Sequence, residues 1–341
     1  MSDITIYSLA EKLNMTPSMV SRALSPNGKI SEEKRKLVLA AAKKYNFNPN
    51  KLASRLAMKP IRIGVVIVSK FEVNTKKMLL GIEAAHAQLK DYKIKYEVSV
   101  FSHETPAKEL QDALDIYQSF DGVILAGMSA GKYTNLIRAL LTENKNVVQV
   151  QAINPDADCL FCSKHDEAVA SALAAEMLSS CLTKSERKNI LLFTGDLSST
   201  VHQNAKKSFL SQCEALGMNL VRSVDMRDDE AYLESILPEI FSECEGMIDG
   251  IYITSGLSLP LCRYLEQMGR ELPFVAFDTY EQIKDYMRRG IVTAAISQNI
   301  PHQMQIAFER LVHRVITAEE CRKTVYTDVQ LVLRANMHQF D

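Results

Sequence analysis

The sequence predicts an all-α helix-turn-helix head followed by an α/β core of two doubly wound parallel sheets. Three observations carry that expectation: purely helical patterning through residue 60, short apolar runs alternating with amphipathic segments from Ile61 onward, and a strongly polarised charge. The 341 residues are 47% hydrophobic and 24% charged, which is ordinary globular composition in a chain too long for one small core, so two or three folding units are expected. The formal net charge of -1 hides the polarity. Residues 1–60 hold eleven Lys/Arg against four acids, a surplus of seven, and the remaining 29 Lys/Arg face 37 acids. Positive potential is thus confined to one end.

In the head, Leu9, Ala10 and Leu13 recur at helical spacing over 6–13, and Asn14-Met15 makes a short turn. Thr16 is placed to cap a second helix over 17–24, with Pro17 where a missing N–H costs nothing. That helix turns Val20, Ala23 and Leu24 inward and leaves Ser18, Ser21 and Arg22 outward. Ser31 is expected to cap a third helix over 32–45, whose Val38, Ala42 and Tyr45 face the same core. Two helices on a tight turn with a third as support form a helix-turn-helix, and the second has the size to enter a major groove. A bundle used only for packing would not explain the positive surplus or the short polar side chains of the second helix.

In the core, strands are expected at 63–68, 94–101, 122–126, 147–151, 190–194, 220–224, 250–254, 274–277 and 293–297. Helices are expected at 76–89, 107–117, 167–181, 203–216, 257–268 and 303–315. About ten strands suffice for two parallel sheets side by side, with a cleft between two lobes.

Asn48-Pro49-Asn50 and the short amphipathic stretch 51–59 follow the head, too short to hold a helix alone. Ile6-Tyr7-Ser8-Leu9-Ala10, Val20-Ser21-Arg22-Ala23-Leu24, Ile30-Ser31, and Tyr45-Asn46-Phe47-Asn48-Pro49-Asn50 through Ser54-Arg55-Leu56-Ala57 together resemble the N-terminal signature of the lactose-repressor (LacI/GalR) family. The resemblance continues more loosely to about residue 337. It implies a head over 1–48, a hinge helix and linker over 49–60, and a periplasmic-binding-protein-like effector-binding and dimerisation core over 61–341. Within that core the lobes are expected at 61–158 plus 292–324 and at 159–291 plus 325–341. It also implies contacts to double-stranded operator DNA from Ile6, Thr16, Pro17, Ser18, Ser21, Arg22, Ser31, Ala53 and Leu56. Leu56 would wedge into the minor groove, where unstacking is offset by the bend it permits; a linker-docking role is the plainer alternative. Pro17 and Ser18 depart from the long polar residues of relatives, which leaves Arg22 as the main candidate for a guanine contact.

Ligands of open α/β sheets bind beyond the carboxyl ends of the strands. The residues there include Lys70, Phe71, Asn154, Ser255, Asp278 and Gln298, with carboxylate and carboxamide groups suited to paired hydroxyls and aromatics suited to a sugar ring. By resemblance, Asp278 matches the acid that grips effector hydroxyls, Gln298 the glutamine on the strand crossing between lobes, and His202-Gln203 the pocket helix, with Gln203 in place of a frequent Arg. Capping of the next helix is the competing role for Asp278, and a lobe hinge that for Gln298. Lys70, Lys164 and His165 offer charge to an anionic effector, though solvated surface positions are the simpler reading.

No nucleophile elbow, P-loop, zincin or dinucleotide motif is present, and the seven histidines do not pair with acids at a telling spacing. Neither an enzyme nor a cofactor is therefore expected. Cys159 and Cys162 have metal-compatible spacing without a second ligand pair, so they are assigned to the core and no metal is expected. Without a signal peptide or a bilayer-length apolar run, a cytoplasmic, nucleoid-associated location with no membrane partner is expected. The expected function is a DNA-binding transcriptional regulator, a repressor rather than an activator, controlled by a sugar-like or polyol effector. It would act as a homodimer, because two recognition helices must reach half-sites a helical turn apart; no C-terminal heptads suggest a tetramer. The rivals are a solute-binding protein and a sugar- or nucleoside-acting enzyme on the same two-lobed core.

Overall fold

The computed structural model describes residues 6–24, 28–45, 47, 59–129, 131 and 133–340. The chain divides into two compact units, residues 1–60 with 90–94 and all the rest. Twelve helices, twelve strands and a short 3-10 turn lie among the described residues.

The head contains α1 (Ile6–Lys12), α2 (Pro17–Leu24) and α3 (Glu32–Lys44). Asn14 takes the left-handed conformation that reverses the chain between α1 and α2, with φ 52°, and Met15 donates to the Ala10 carbonyl at 2.9 Å. The Thr16 hydroxyl accepts from the Met19 amide at 3.3 Å, as its capping position predicts. Ser31 differs: it stands at the N-cap of α3, but its hydroxyl makes no capping bond, and the acidic Glu32 and Glu33 meet the positive end of the helix instead. Leu9, Val20 and Val38, one from each helix, are fully buried with Ala10, Ala23, Ala41, Ala42 and Phe47 around them.

The second unit has two six-stranded sheets. The first lobe is built from β1 (Ile61–Ser69), α4 (Glu72–Gln88), β2 (Ile94–Ser102), α5 (Ala107–Tyr117), β3 (Gly122–Ala126), α6 (Thr134–Glu143), β4 (Val147–Val150) and β5 (Cys162–His165). The second follows with α7 (Glu167–Cys181), β6 (Asn189–Thr194), α8 (Thr200–Ala215), β7 (Asn219–Asp225), α9 (Glu230–Glu243), β8 (Gly250–Ile253), α10 (Ser258–Met268), β9 (Phe274–Phe277), α11 (Glu281–Arg288) and β10 (Ala294–Ser297). Then α12 (Ile300–Thr317) returns to the first lobe, β11 (Thr324–Thr327) joins its sheet, and β12 (Gln330–Val332) closes the second. Strand order is β11-β5-β4-β3-β1-β2 in the first sheet and β12-β10-β9-β8-β6-β7 in the second. β1 runs parallel to β3 from Ile63 opposite Gly122 to Ile67 opposite Ala126, whereas β12 is antiparallel to β10.

This topology corrects the expected lobe limits. The first lobe extends through β5 and includes β11, and β10 belongs to the second sheet. β5 reads Cys-Ser-Lys-His, a polar run with no apolar signature, so only its pairing with β4 and β11 reveals it. α6 and α9 also add to the helices expected from patterning. In α9 an exposed Pro238 interrupts the helical signal without ending the helix.

Both faces of each sheet are covered, as parallel sheets require. Helix α4 buries Met78, Gly81, Ile82 and Ala85 at helical spacing, and α12 buries Met304, Ala307, Phe308 and Leu311. The seven cysteines carry free thiols. Burial pushes Cys159, Cys162, Cys213 and Cys262 up to about 12 each, so these thiols stay protonated. No group of three or more His, Cys, Asp or Glu poised to hold a metal, and no helix long and apolar enough to cross a membrane, lies among the described residues.

The α4–α12 contact depends on a missing side chain. A Cβ at Gly81 would stand 2.2 Å from the Pro301 carbonyl oxygen, and that backbone cannot yield cheaply. Gly81→Ala is expected to destabilise the core by about 1–3 kcal/mol through overpacking, despite the higher helix propensity of alanine. Denaturant unfolding at constant m-value would measure it, and an unchanged midpoint would contradict the close approach.

Candidate functional site

A parallel sheet leaves unpaired backbone groups at the carboxyl ends of its strands, and a crevice opens where strand order reverses. That point falls between β1 and β3 in one sheet and between β6 and β8 in the other. A cavity of about 520 Å³ joins the two, within the range of small-molecule sites. Ser69, Lys70 and Phe71 line it after β1, Gly127 and Ser129 after β3, Asp196 and Ser198 after β6, Ser255 and Gly256 after β8, Asp278 after β9, and Gln298 after β10.

Asp278 and Gln298 form the most deeply buried polar pair in this wall, with Gln298 Nε2 donating to Asp278 Oδ2 at 2.9 Å. Gln303 from α12 fixes the glutamine by donating to its carbonyl at 2.7 Å. Asp278 holds φ 64° and makes no cap bond to α11, whose N-cap is Tyr280. A non-glycine residue in the left-handed region costs on the order of 1 kcal/mol and persists only where its surroundings dictate it. Burial raises the Asp278 pKa, opposed by Lys77 and the Gln298 hydrogen bond.

Opposite them lies a pair that sequence spacing did not reveal. His202 on α8 brings Nε2 to 3.2 Å from Asp228 Oδ2, while its Nδ1 lies 3.5 Å from Thr254 Oγ1. Twenty-six residues separate the two, and they meet only because β6 and β7 are neighbours. Burial alone would raise Asp228, but the His202 and Asp196 amide hydrogen bonds prevail and hold it down at about 2. A Cβ on Gly195 would fall 2.4 Å from the His202 ring and 2.7 Å from Asp228 Oδ1, so glycine is what lets the pair close over this turn.

The expected cations fare differently. Lys70 is exposed and donates to the carbonyls of Arg227 and Asp228 at 3.4 and 3.3 Å. Lys164 and His165 are buried, against the surface reading. Lys164 is held by Glu167 at 2.6 and 2.8 Å and does not line the cavity. His165 does line it, packed on Phe277 at 5.6 Å between ring centroids, and burial lowers its pKa to about 4, so the ring is neutral at pH 7. Gln203 is exposed, donates to the Leu197 carbonyl at 2.8 Å, and lies outside the lining; Val201, His202 and Ala205 line it instead. Asn154 is withdrawn into a buried network with Thr134 and Ser129. Gln151 joins the lining without having been singled out from sequence.

On the head, Ser18, Ser21 and Arg22 share the exposed side of α2, and Arg22 Nη2 donates to Ser18 Oγ at 3.0 Å. Thr16 and Ser31 are also exposed and Pro17 is half-buried. Ile6 packs against the head core. Ala53 and Leu56, with the hinge over 49–58, lie outside the described residues.

Residues 65–319 match the periplasmic binding protein domain family, and residues 5–50 match the bacterial regulatory proteins of the lacI family. The chain is 25% identical to the HTH-type transcriptional regulator KdgR of Bacillus subtilis, over 98% of this chain and 97% of the relative. It is 22% identical to catabolite control protein A of Staphylococcus aureus, over 71% of this chain and 70% of the relative. Among solved structures, the lac repressor dimer bound to operator and the anti-inducer ONPF is similar with a TM-score of 0.65 at 17% identity, covering 97% of this chain and 98% of that one. A sugar-binding protein of a sugar ABC transporter from Bacillus halodurans matches 82% of this chain and 100% of its own with a TM-score of 0.72 at 16% identity.

The neutral His165 makes a pH signature. Its folded pKa of about 4 lies below the ordinary 6.5, so between those values the unfolded chain binds a proton that the folded chain refuses. Stability is therefore lost as pH falls from about 6.5 to about 4, by on the order of 3 kcal/mol. In His165→Gln that share of the acid loss should vanish. Urea unfolding at pH 7, 5.5 and 4 would compare the two proteins, and parallel curves would show that His165 titrates normally.

Proposed function

The chain belongs to the lacI family of bacterial regulatory proteins, with its core in the periplasmic binding protein domain family, and from that premise we propose how this DNA-binding, sugar-responsive transcriptional regulator works. The head reads an operator through the exposed face of α2, and a neutral sugar or polyol bound in the inter-lobe cavity sets the affinity for that operator. The protein acts in the cytoplasm as a homodimeric repressor, each subunit offering one recognition helix, with residues 1–48 as head, 49–60 as hinge and 61–341 as sensor.

The observation that carries this reading is the Asp278–Gln298 pair at the switch-point cavity, in a chain that also bears a basic helix-turn-helix. A buried carboxylate accepts from two neighbouring hydroxyls and a carboxamide donates to a third oxygen, the chemistry that binds a polyol. Charge argues for a neutral ligand. Among the described residues, His165 is neutral and Lys70 is the one Lys or Arg in the lining, whereas Asp196, Asp228 and Asp278 all face the cavity. A sugar phosphate or sugar acid would meet more carboxylates than ammonium or guanidinium groups.

The His202–Asp228 pair does not make the cavity an active site. The hydroxyl facing the other ring nitrogen is that of Thr254, which is buried and already accepts from the Gly195 amide at 3.3 Å. We read the pair as shaping the wall. The name of the transporter protein from Bacillus halodurans supports a sugar as ligand class for this core, and the regulator names of the relatives match the presence of the head.

Two variants separate the functions. Arg22→Ala is expected to weaken binding to a selected operator by about 10- to 100-fold, as for loss of one bidentate base contact, with a much smaller loss on random duplex. Equal losses in competition gel shifts would make Arg22 a phosphate contact only. Asp278→Asn should remove the thermal shift and operator release produced in the parent protein by any active member of a panel of neutral pentoses, hexoses and polyols. Its operator affinity without sugar should stay within about threefold. A retained sugar response would end the assignment of Asp278 to the ligand.

A further inference from the structure

Lys77 has no place in the sugar chemistry so far, yet it joins the two lobes at the acid. It sits on α4 of the first lobe, one residue before Met78, whose side chain anchors that helix in the core. Its ammonium crosses to the second lobe and donates to the carbonyl of Thr279, the residue after Asp278. The backbone it holds is the left-handed turn that presents the carboxylate, and the Asp278 amide is tied on the other side to the Ile296 carbonyl of β10 at 2.8 Å.

The charges around this turn are few. Lys77 comes from α4, and Lys284 comes from α11 with its side chain buried and 3.7 Å from Glu281. Tyr280 follows the turn and spends its hydroxyl on the Gly256 carbonyl at 2.9 Å. From β10, Gln298 brings a neutral amide. Of the two cations, Lys284 shares Glu281 with Arg288, and Lys77 is the one whose charge acts on Asp278.

We propose that Lys77 is a positioning residue for the ligand-gripping acid: it fixes the 278–279 turn from the opposite lobe and brings a positive charge to the Asp278 carboxyl when the lobes are together. This rests on the reading of Asp278 given above. Burial favours the protonated acid, which offers a hydroxyl donor where a sugar hydroxyl needs an acceptor, and the Lys77 charge opposes that rise. The desolvated ammonium is in turn favoured by Asp278, so the interaction runs both ways. Opening the cleft would withdraw Lys77, so closure and readiness of the acid become one event, and a ligand that needs the carboxylate selects the closed form.

The test needs no ligand. In the full-length chain labelled with carbon-13 at aspartate Cγ, the Asp278 resonance is identified by its loss in Asp278→Asn and titrated in the parent, Lys77→Met and Lys77→Arg. The midpoint should rise by about 1 pH unit in Lys77→Met and return close to the parent value in Lys77→Arg. A packing role alone would leave the midpoint unmoved, and an unchanged midpoint in folded Lys77→Met overturns the proposal. Should Lys77→Met fail to fold, Lys77→Gln carries the same comparison. A raised midpoint together with an intact sugar response in Asp278→Asn would remove Asp278 from the ligand while leaving its coupling to Lys77 in place.

Discussion

The two lobes are tied by a chain that passes between the sheets three times among the described residues, after His165, after Gln298 and between β11 and β12. Everything at the cavity depends on those passages. A sheet can rotate against its neighbour only by changing backbone angles in a few short segments, and two of the three begin at residues that line the cavity. Ligand contact and lobe movement therefore involve the same atoms. The third passage, the antiparallel pairing of β12 with β10, braces the strand that carries Gln298.

Around these passages the electrostatics are nearly balanced by local pairing. Lys164 is matched by Glu167, Asp228 is hydrogen-bonded to His202, and Asp278 is faced by Lys77. Buried charges persist when each has a partner and remaining hydrogen bonds are satisfied. What faces the cavity is then mostly dipolar, with amide, hydroxyl and imidazole groups around carboxylates already committed to neighbours.

The head was largely legible from sequence because its signals are local. Asn14, Thr16 and Pro17 are turn and cap residues whose roles follow from their own backbone chemistry, and Leu9, Val20 and Val38 lie where helical spacing puts them. The apolar strands β1, β3, β6, β9 and β10 were equally plain, and the ends of β1, β9 and β10 located Lys70, Phe71, Asp278 and Gln298 on the cavity wall. What escaped was long-range. β5 carries a polar sequence made internal by its neighbours, so Lys164 and His165 resembled surface residues. Asp228 meets His202 only through sheet order, and Gln203 faces out because the adjacent His202 takes the inward position on α8. The hydroxyl of Ser31 stands at the right position for a cap without performing it, a matter of rotamer that sequence does not encode.

The left-handed backbone at Gln151, Asp228 and Asp278, with φ 69°, 48° and 64°, sets a limit on how this cavity can evolve. β-Branched side chains are all but excluded from that conformation, and bulky ones are strained in it. Drift toward a new specificity at these three positions must draw on a short alphabet of Asp, Asn, Gly and a few unbranched residues. Wider chemical variety is available only where the rim is conventionally twisted, as at Ser69, Phe71 and Ser255, so retuning for another metabolite would concentrate there.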